Sequence, residues 1–511
     1  MKKIKYIIPL MIAISLLLNS CIDLDDTTFS TESSDTYFNN EEDIKIALVG
    51  VYNSLTKRYG GLDSFSEGYI QMTTHGTHTG WFTTDFGRHN YLTGTNPKLA
   101  ASYLGSYFGI SKANTVIQKL EEKSGTDYLI QMTEENRNKY CAEAKFIRAL
   151  YYSNLAQFFG AVPIVVEPFD GIYNESTELE KSPLEEVYAF IISDLIFAEE
   201  HLELRDFAVA KQSGRATKGA TQGLLARTYL SMAGAPLNLG AEYYQLAKDQ
   251  ALKIYDSGLG VYELLDDYSS LFYIENETSK EWLFAVQFGP EEDQSGSWGW
   301  YQTVMARWKD SGLESRRDGV GRLYPTEELI AAYDPTDPRF INNIITTRAN
   351  GTPEPNTHKF RTTKFKFKEQ YTDRNKTGMN APILRYADIL LILAETENEL
   401  NGPAAAYQYI NAVRERARKG SPDLGIDPSL EPADLVGLNQ EEFRKEVFWE
   451  RARELCWEVT DRLDLVRSGN FVSVLNDATY VSKEGSVKTV TEEHLFFPLP
   501  LAAILNNSNL E

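Results

Sequence analysis

The sequence LLARTYLSMAGAPLNLGAEYYQLAKDQAL, residues 224–252, decides the fold class of this chain. Small and large apolar residues recur at helical spacing on both sides of a turn that runs from Gly234 to Gly240. The same plan returns in LLILAETENELNG, residues 390–402, followed by AYQYINAVRERA, residues 406–417. Each unit is a helix–turn–helix of about 34 residues, the length of a tetratricopeptide unit. The sequence therefore predicts a scaffold of paired helices.

Helical periodicity extends through most of the remaining chain. Residues 41–57 carry apolar residues on one face: Ile44, Leu48, Val51 and Leu55. Further helices are predicted at residues 99–122, 134–159, 183–204, 220–233, 241–256, 385–400 and 403–418. The apolar stripe of helix 134–159 is wide enough to pack on two neighbours. Ser182 is a candidate N-cap, and Pro183 and Pro403 are each expected at a first helical position.

One long insertion separates the two clear helix pairs. Residues 258–380 are rich in Gly, Pro, Trp and Tyr and contain two short β-like runs, Glu281–Phe288 and Arg361–Lys368. The second run, RTTKFKFK, alternates as a strand does and is predicted to form a surface-exposed β-hairpin arm. Irregular segments held on a rigid scaffold often carry the function, so the insertion is expected to contribute to a ligand face.

The N-terminus has the features of an export signal. Lysines precede an apolar run from Ile7 to Leu18, which has the length of a signal-peptide core and is too short to span a bilayer. The run ends in Leu18-Asn19-Ser20-Cys21, which resembles the lipobox of bacterial lipoproteins, where the cysteine is acylated after cleavage. Residues 1–20 are predicted to be the signal peptide, Cys21 the lipid-bearing residue and residues 21–40 a flexible tether. An ordinary secretory signal with a chance cysteine is the alternative.

Charge and cysteine content narrow the function classes. The formal net charge is −22, and the sequence has no stripe of Lys and Arg of the kind that binds nucleic acid. Aromatic residues make up 12% of the chain, which suits ligands that stack on rings, such as sugars. Cys141 and Cys456 each lie among apolar residues of a helical segment. Both are predicted to be buried thiols, and a bridge between them is the alternative.

Five segments resemble the SusD/RagB family, and their order along the chain matches too. They are CAEAKFIRALYYSNLAQFFGAVPIV (141–165), GRATKGATQGLLARTYLSMAG (214–234), LRYADILLILAETENEL (384–400), ERARELCWEVTDRLDLVRSG (450–469) and FFPLPLAAILNNSNL (496–510). The departures from the family pattern are local: Val459 and Thr460 replace the usual Gly-His, and Ser468 stands where Trp is common.

This resemblance implies both a fold and a role. The implied fold is mainly α, with four tetratricopeptide-like helix pairs as a SusD-like scaffold and with irregular loops and small β-hairpins as the ligand face. The implied role is that of an outer-membrane lipoprotein, exposed at the cell surface, that captures nutrients, often glycans. The implied partner is a SusC-like TonB-dependent barrel. The resemblance implies a binding protein without catalytic residues, and no cofactor or metal is predicted.

Two loop-like segments combine aromatic rings with side chains that hydrogen-bond sugar hydroxyls. In residues 74–90, where the resemblance implies a binding loop, the candidates are Trp81, Asp85, Arg88 and Asn90. In residues 295–308 the candidates are Trp298, Trp300 and Tyr301. Large rings among Gly and Ser have little local apolar context for core packing, which favours a binding platform. Burial of these rings under the loops is the alternative.

A stripe of acids raises the alternative of hydrolysis. Four glutamates fall on one helix face: Glu446, Glu450, Glu454 and Glu458. A glycosidase needs two carboxyl groups roughly 5–10 Å apart. Three arginines lie close in sequence: Arg451, Arg453 and Arg462. The spacings from Glu450 to Arg453 and from Glu458 to Arg462 favour a structural ion network over a catalytic pair.

Two weaker motifs suggest other chemistry. His75 and His78 form the one close histidine pair, which Asp85 and His89 would have to complete as a zinc site, and loop hydrogen bonding is favoured over metal. Residues 214–219 have the glycine spacing of a phosphate loop, but Ala220 occupies the position of the required Lys.

The sequence thus predicts a glycan-binding lipoprotein that delivers its ligand to a barrel. The body is expected to span residues 41–511, with an N-terminal helical and ligand-loop part over about 41–235 and a C-terminal part over about 241–511. The alternatives are a surface glycan hydrolase and a tetratricopeptide-type adaptor that binds proteins.

Overall fold

In the computed structural model of the protein, the described residues are 38, 40–60, 77–79, 91–121, 132–168, 179–207, 214–256, 261–289, 323–347, 352–354, 360–362, 364, 378–422, 425–458, 460–477 and 489–510. Their α-helices are α1 Glu41–Gly60, α2 Pro97–Glu121, α3 Glu134–Phe159, α4 Leu184–His201, α5 Lys218–Ala233, α6 Ala241–Tyr255, α7 Glu327–Ala332, α8 Pro338–Asn343, α9 Tyr386–Asn401, α10 Tyr407–Arg418, α11 Gln440–Leu455, α12 Asp461–Arg467, α13 Phe471–Asp477 and α14 Leu501–Asn506. Their strands are β1 Thr77–Thr79, β2 Trp282–Val286, β3 Leu323–Pro325, β4 Ile344–Ile345, β5 Arg361–Thr362 and β6 Ala381–Arg385.

Successive helices form a continuous stack. Each helix from α1 to α6 packs on the next one, and α6 then packs on α9, which contacts α10 and α11. The insertion therefore interrupts the sequence of helix pairs without interrupting their packing. The mainly helical, tetratricopeptide-like architecture predicted from residues 224–252 is confirmed.

The helices bury the faces that their periodicity predicted. Ile44, Leu48, Val51 and Leu55 are all buried, and they belong to one apolar core that extends as far as Leu510. The wide stripe of α3 packs on both α2 and α4, as expected. Burial of apolar surface at about 25 cal/mol per Å² is the main force that holds such a stack together.

Two helix starts differ from the prediction. The backbone N–H of Ser182 donates to the carbonyl of Val162 at 3.1 Å, so Ser182 lies in a short extended bridge and Pro183 is the N-cap, without a side-chain cap. Pro403 begins a turn, and its carbonyl accepts from the N–H groups of Ala406 and Tyr407 at 3.0 and 3.2 Å. Helix α10 therefore begins at Tyr407, four residues later than predicted.

The insertion supplies short strands. β2 confirms the β-like run Glu281–Phe288 and pairs with β6 in an antiparallel sheet. β5 pairs with β4, but the predicted surface arm at Arg361–Lys368 is wrong where the structure describes it, because Lys364 is only 1% exposed. Residues 365–368 lie outside the described residues.

Both predicted buried thiols are confirmed. Cys141 and Cys456 are buried and not joined by a disulfide. Burial raises the pKa of each thiol to about 12, so both remain neutral and chemically quiet at ordinary pH.

A cluster of buried ion pairs lies where α11 meets the insertion, and we call it the ion network. Its members are Glu281, Asp337, Arg339, Lys364, Arg385, Arg414, Arg416, Glu450, Arg453, Glu454 and Glu458, all buried. The carboxylate of Glu454 accepts from Arg385 at 2.7 Å and from Arg339 at 3.0 Å, and it also accepts from Arg416. The structural reading of the glutamate stripe is thereby confirmed.

The partners in the ion network are mostly distant in sequence. The predicted contact from Glu450 to Arg453 is present at 2.9 Å. The predicted contact from Glu458 to Arg462 is not found, because Glu458 binds Arg385 at 2.7 Å. The guanidinium of Arg462 instead donates to the carbonyls of His494 and Leu495, and it lies over the ring of a buried phenylalanine, Phe497.

The charges of the ion network depend on one another. Burial works against a charged Glu454, but Arg416 and Arg385 outweigh it and lower the pKa of that carboxyl to about 2. Since the folded-state pKa lies below the unfolded value, the stabilisation from this group is complete above about pH 4.5. As the pH falls from about 4.5 towards 2, Glu454 becomes protonated and this stabilisation is lost.

Replacing Glu454 by Ala should destabilise the fold strongly. The change leaves Arg339, Arg385 and Arg416 facing one another in a dry interior, and such losses cost about 3–5 kcal/mol. Urea unfolding followed by circular dichroism measures the effect. Lys445→Ala, which removes a mostly exposed pair with Glu441, is the matched control and should hardly move the midpoint. Equal midpoints for the two variants would contradict a structural role for the ion network.

Candidate functional site

The predicted ligand residues lie outside the residues that the structure describes. They are Trp81, Asp85, Arg88, Asn90, Trp298, Trp300 and Tyr301, and the same holds for Cys21. His75 is also outside, and only the backbone of His78 is described. Within the described ranges, no group of three or more His, Cys, Asp or Glu side chains has the arrangement of a metal site. The short strands to which both loop segments are joined lie within the described residues.

A two-stranded sheet connects the two predicted ligand segments. Strand β1 falls within residues 74–90, and β3 is the first described element after residues 295–308. The strands are antiparallel, with Thr77 opposite Pro325, His78 opposite Tyr324 and Thr79 opposite Leu323. Two segments that are far apart in sequence are therefore joined to the same short sheet. The sequence carried no signal for this pairing, because strands of three residues show no periodicity.

The β1–β3 sheet lies beside a second small sheet, formed by β4 and β5. Strand β3 contacts β5, which pairs with β4 through Ile344 opposite Thr362 and Ile345 opposite Arg361. Just after β5, the ammonium group of Lys364 donates to the carbonyls of Glu454 and Cys456 at 2.7 and 3.0 Å. Strand β5 is thus fixed to the ion network.

Strand β3 reaches the same network by way of α7 and α8. Thr326 follows β3 directly and caps α7, its hydroxyl accepting from the N–H of Leu329 at 3.2 Å. The hydroxyl of Tyr333, at the end of α7, donates to the carbonyl of Arg453 at 2.7 Å. Arg339 of α8 then donates to Glu450 at 2.7 Å. The segment after β3 is therefore tied to α11 at two points.

The other end of the second ligand segment is held by Asn380. The side-chain oxygen of Asn380 accepts from the N–H of Phe288 at 2.8 Å, and its amide nitrogen donates to Gln287 at 3.1 Å. The side chain of Gln287 approaches Gly214, where an added Cβ would lie 2.1 Å from it. Gly214 also has a positive φ of 83°. The glycine that suggested a phosphate loop is therefore required by close packing and backbone conformation.

Two family models, which match different parts of the chain, together cover most of it. The model described as the SusD family matches residues 340–511, and the model described as starch-binding and associating with the outer membrane matches residues 24–230. A SusD-like protein of Formosa agariphila is 25% identical, with 96% of this chain and 95% of that protein covered.

Solved structures share the fold. A SusD homologue from Bacteroides thetaiotaomicron has a TM-score of 0.76 at 24% identity, with 93% of this chain and 97% of the other covered. Surface glycan-binding protein A from the same species, solved in complex with laminarihexaose, has a TM-score of 0.72 at 19% identity, with 92% and 99% covered. At these identities the similarity shows a shared fold, and it does not assign the ligands of those proteins to this chain.

The pairing of β1 with β3 predicts a specific cross-link. Cysteines at positions 78 and 324, directly opposite in the sheet, have the Cα spacing that a disulfide needs. Oxidation of His78→Cys/Tyr324→Cys should therefore give one new bridge, seen as a mobility shift on a non-reducing gel and located by mass spectrometry. Thr77→Cys/Leu323→Cys, which is out of register, is the control. Equal bridging in both variants, or none in the first, would show that the two segments are not paired in this way.

Proposed function

Since the chain belongs to the SusD/RagB family, we propose that it is a surface lipoprotein that binds an oligosaccharide and delivers it to a SusC-like TonB-dependent barrel. One family model that it matches is described as starch-binding, and one protein of the same fold was solved with laminarihexaose. The single observation in the chain itself that carries the proposal is the pairing of β1 with β3. That pairing places a strand of the first aromatic loop segment beside the first described strand after the second.

The ligand face is proposed to consist of the two loop segments. Trp81 in the first and Trp298, Trp300 and Tyr301 in the second would stack on the apolar faces of sugar rings. Asp85, Arg88 and Asn90 would donate and accept hydrogen bonds at the hydroxyl groups. A base fixed by the ion network supports such a face, because binding loops lose less entropy when their ends are already held in place.

The proposed action is binding without chemical change of the sugar. Glu450 and Glu454, two of the four glutamates that raised the hydrolase alternative, are fully buried and bound by arginines. The pKa of each lies below its usual value, since neighbouring arginines outweigh the effect of burial, whereas a general acid needs a raised pKa. The protein of the same fold that was solved with laminarihexaose is described as a surface glycan-binding protein, which agrees with this proposal.

The protein is proposed to be held at the outer membrane by lipid on Cys21, with residues 21–40 as a tether. None of the helices in the described ranges has the length and apolar content that a membrane crossing requires. An anchored body that stays beside its barrel meets it at a high effective concentration, so a weak contact between the two proteins is sufficient.

Loss of either proposed ring platform should weaken glycan binding. Trp81→Ala and Trp300→Ala are each expected to reduce affinity by about tenfold, since central aromatic residues often supply more than 1 kcal/mol. Affinity electrophoresis in gels that contain laminarin or starch measures retention. Phe108→Ala, which removes a ring that is 40% exposed on α2, is the control and should be retained as the parent is. Unchanged retention of both tryptophan variants would refute the assigned face, and release of short sugars would favour a hydrolase.

Replacing Cys21 by Ser should release the protein from the membrane. The acyl chains that the anchor requires have no other predicted attachment point, and stable anchoring takes more than one chain. Cell fractionation should recover the parent with the outer membrane and its barrel, and the variant with the soluble fraction. Retention of polysaccharide in the gel assay should be the same for both. Membrane recovery of the Cys21→Ser protein would show that the anchor lies elsewhere.

A further inference from the structure

A cleft of about 570 Å³ opens in the helical scaffold, between α6, α9, α11 and α12. This volume falls in the range of about 300–1,000 Å³ that is usual for small-ligand sites. The turn at Gly234 and the segment Ser468–Asn470 form part of its rim. None of the described residues that line it belongs to the insertion or to β1.

Among the residues that the structure describes, the positive and negative side chains that line this scaffold cleft are equal in number. Three carboxylates and three cations line it as pairs: Arg467 with Glu395, Arg444 with Glu399, and Lys445 with Glu441. The guanidinium of Arg444 holds Glu399 at 2.6 and 2.7 Å through Nε and Nη2. A charged ligand would find no net counter-charge here, whereas a neutral ligand rich in hydroxyl groups finds both donors and acceptors.

Two polar groups in the scaffold cleft have hydrogen-bonding capacity left. The hydroxyl of Tyr244 makes no hydrogen bond to any residue that the structure describes. Nη1 of Arg444 likewise makes none to a described residue, and the Arg444 side chain is half exposed. Burial, followed by the charge of Glu395, raises the pKa of Tyr244 to about 12. Its hydroxyl therefore stays protonated and can both donate and accept.

Aromatic rings complete the lining. Phe448 and Trp449 are half-buried neighbours on α11, with ring centroids 5.3 Å apart and ring planes at 78°. The ring of Tyr244 lines the same cleft from α6. Rings beside paired acids and guanidinium groups suit a molecule that has an apolar C–H face and a polar edge, as a pyranose sugar has.

We propose that the scaffold cleft is a second carbohydrate site, which holds one neutral sugar unit against Tyr244 and Trp449 and hydrogen-bonds it through Tyr244 and Arg444. This goes beyond the proposed function, which uses the loop segments alone. A polysaccharide held at two separate sites on one chain dissociates more slowly than from either site, because release from one leaves it tethered at the other.

A probe at the rim of the scaffold cleft tests this directly. Ser468 is exposed and lines the cleft, and Ser193 is an exposed serine on α4 whose hydroxyl likewise donates to the carbonyl three residues earlier. The full chain carrying Cys21→Ser, with Ser468→Cys or Ser193→Cys, is labelled with a trifluoromethyl thiol reagent. Cys141 and Cys456 are buried and do not react. Fluorine NMR then follows titration with laminarihexaose, maltohexaose, xylohexaose and mannohexaose, and with hexagalacturonate as the charged counterpart.

At least one neutral hexasaccharide should shift the Ser468 signal in a saturable way and leave the Ser193 signal unchanged. Tyr244→Ala and Arg444→Ala should each weaken that binding by about tenfold, and Tyr244→Phe by about threefold, since it keeps the ring. Tyr243→Phe, on the same helix but outside the cleft lining, should bind as the parent does. Circular dichroism shows whether each variant is folded.

The second site and the proposed ligand face can fail separately. If Trp81→Ala/Trp300→Ala abolishes the shift at Ser468, the effect comes from the loop segments and the scaffold cleft is not a site. If a hexasaccharide is retained by the protein but leaves Ser468 unshifted, the proposed function stands and the second site is wrong. The second site is also wrong if no neutral hexasaccharide shifts Ser468 at about 10 mM, or if hexagalacturonate alone does.

Discussion

The contact on which the rest of the structure depends is the carboxylate of Glu454 within its three arginines. Arg339 comes from α8, Arg385 from the end of β6 and Arg416 from α10, so a single buried carboxylate on α11 connects the insertion with the last helix pairs. Buried ion pairs add little net stability compared with apolar packing of the same volume. Their consequence is geometric, since an element that shifts leaves a charge unpaired in a dry interior.

This constraint fixes the base of the proposed ligand face. Strands of two or three residues have too few hydrogen bonds to stand alone in water. β3 is continued by α7 and α8, and Arg339 in the first turn of α8 donates to Glu450. β5 is followed by Lys364, whose ammonium group donates to carbonyls at the end of α11. The short sheets therefore take their stability from charges that lie outside them. Loop sequence can then vary for ligand choice while the base stays in place.

The sequence predicted what local patterns encode. The stripe from Ile44 to Leu55 has helical spacing, and a contact three residues apart, such as Glu450 with Arg453, follows from helix geometry alone. The prediction that Lys364 is exposed was wrong, because an alternating sequence pattern is the same whether the lysine side chain is solvated or is paired with a carboxylate distant in sequence. For the candidate site, the sequence indicated only which segments combine aromatic rings with polar side chains, and not how those segments are arranged in space. The β1–β3 pairing that joins those segments connects residues about 245 positions apart in sequence and leaves no local pattern.

Exposure separates two uses of the same arginine–carboxylate pair in this protein. Arg385 in the ion network is 1% exposed, and its guanidinium donates to Glu281, Glu454 and Glu458, so the capacity for new bonds is used up. Arg444 at the scaffold cleft is 49% exposed and holds one carboxylate with part of its fork. Water occupies the remaining donor sites of an exposed pair and is displaced by a ligand hydroxyl at modest cost. Buried ion pairs therefore hold the helices and strands in place, whereas solvent-exposed ion pairs beside aromatic rings remain available to bind a ligand.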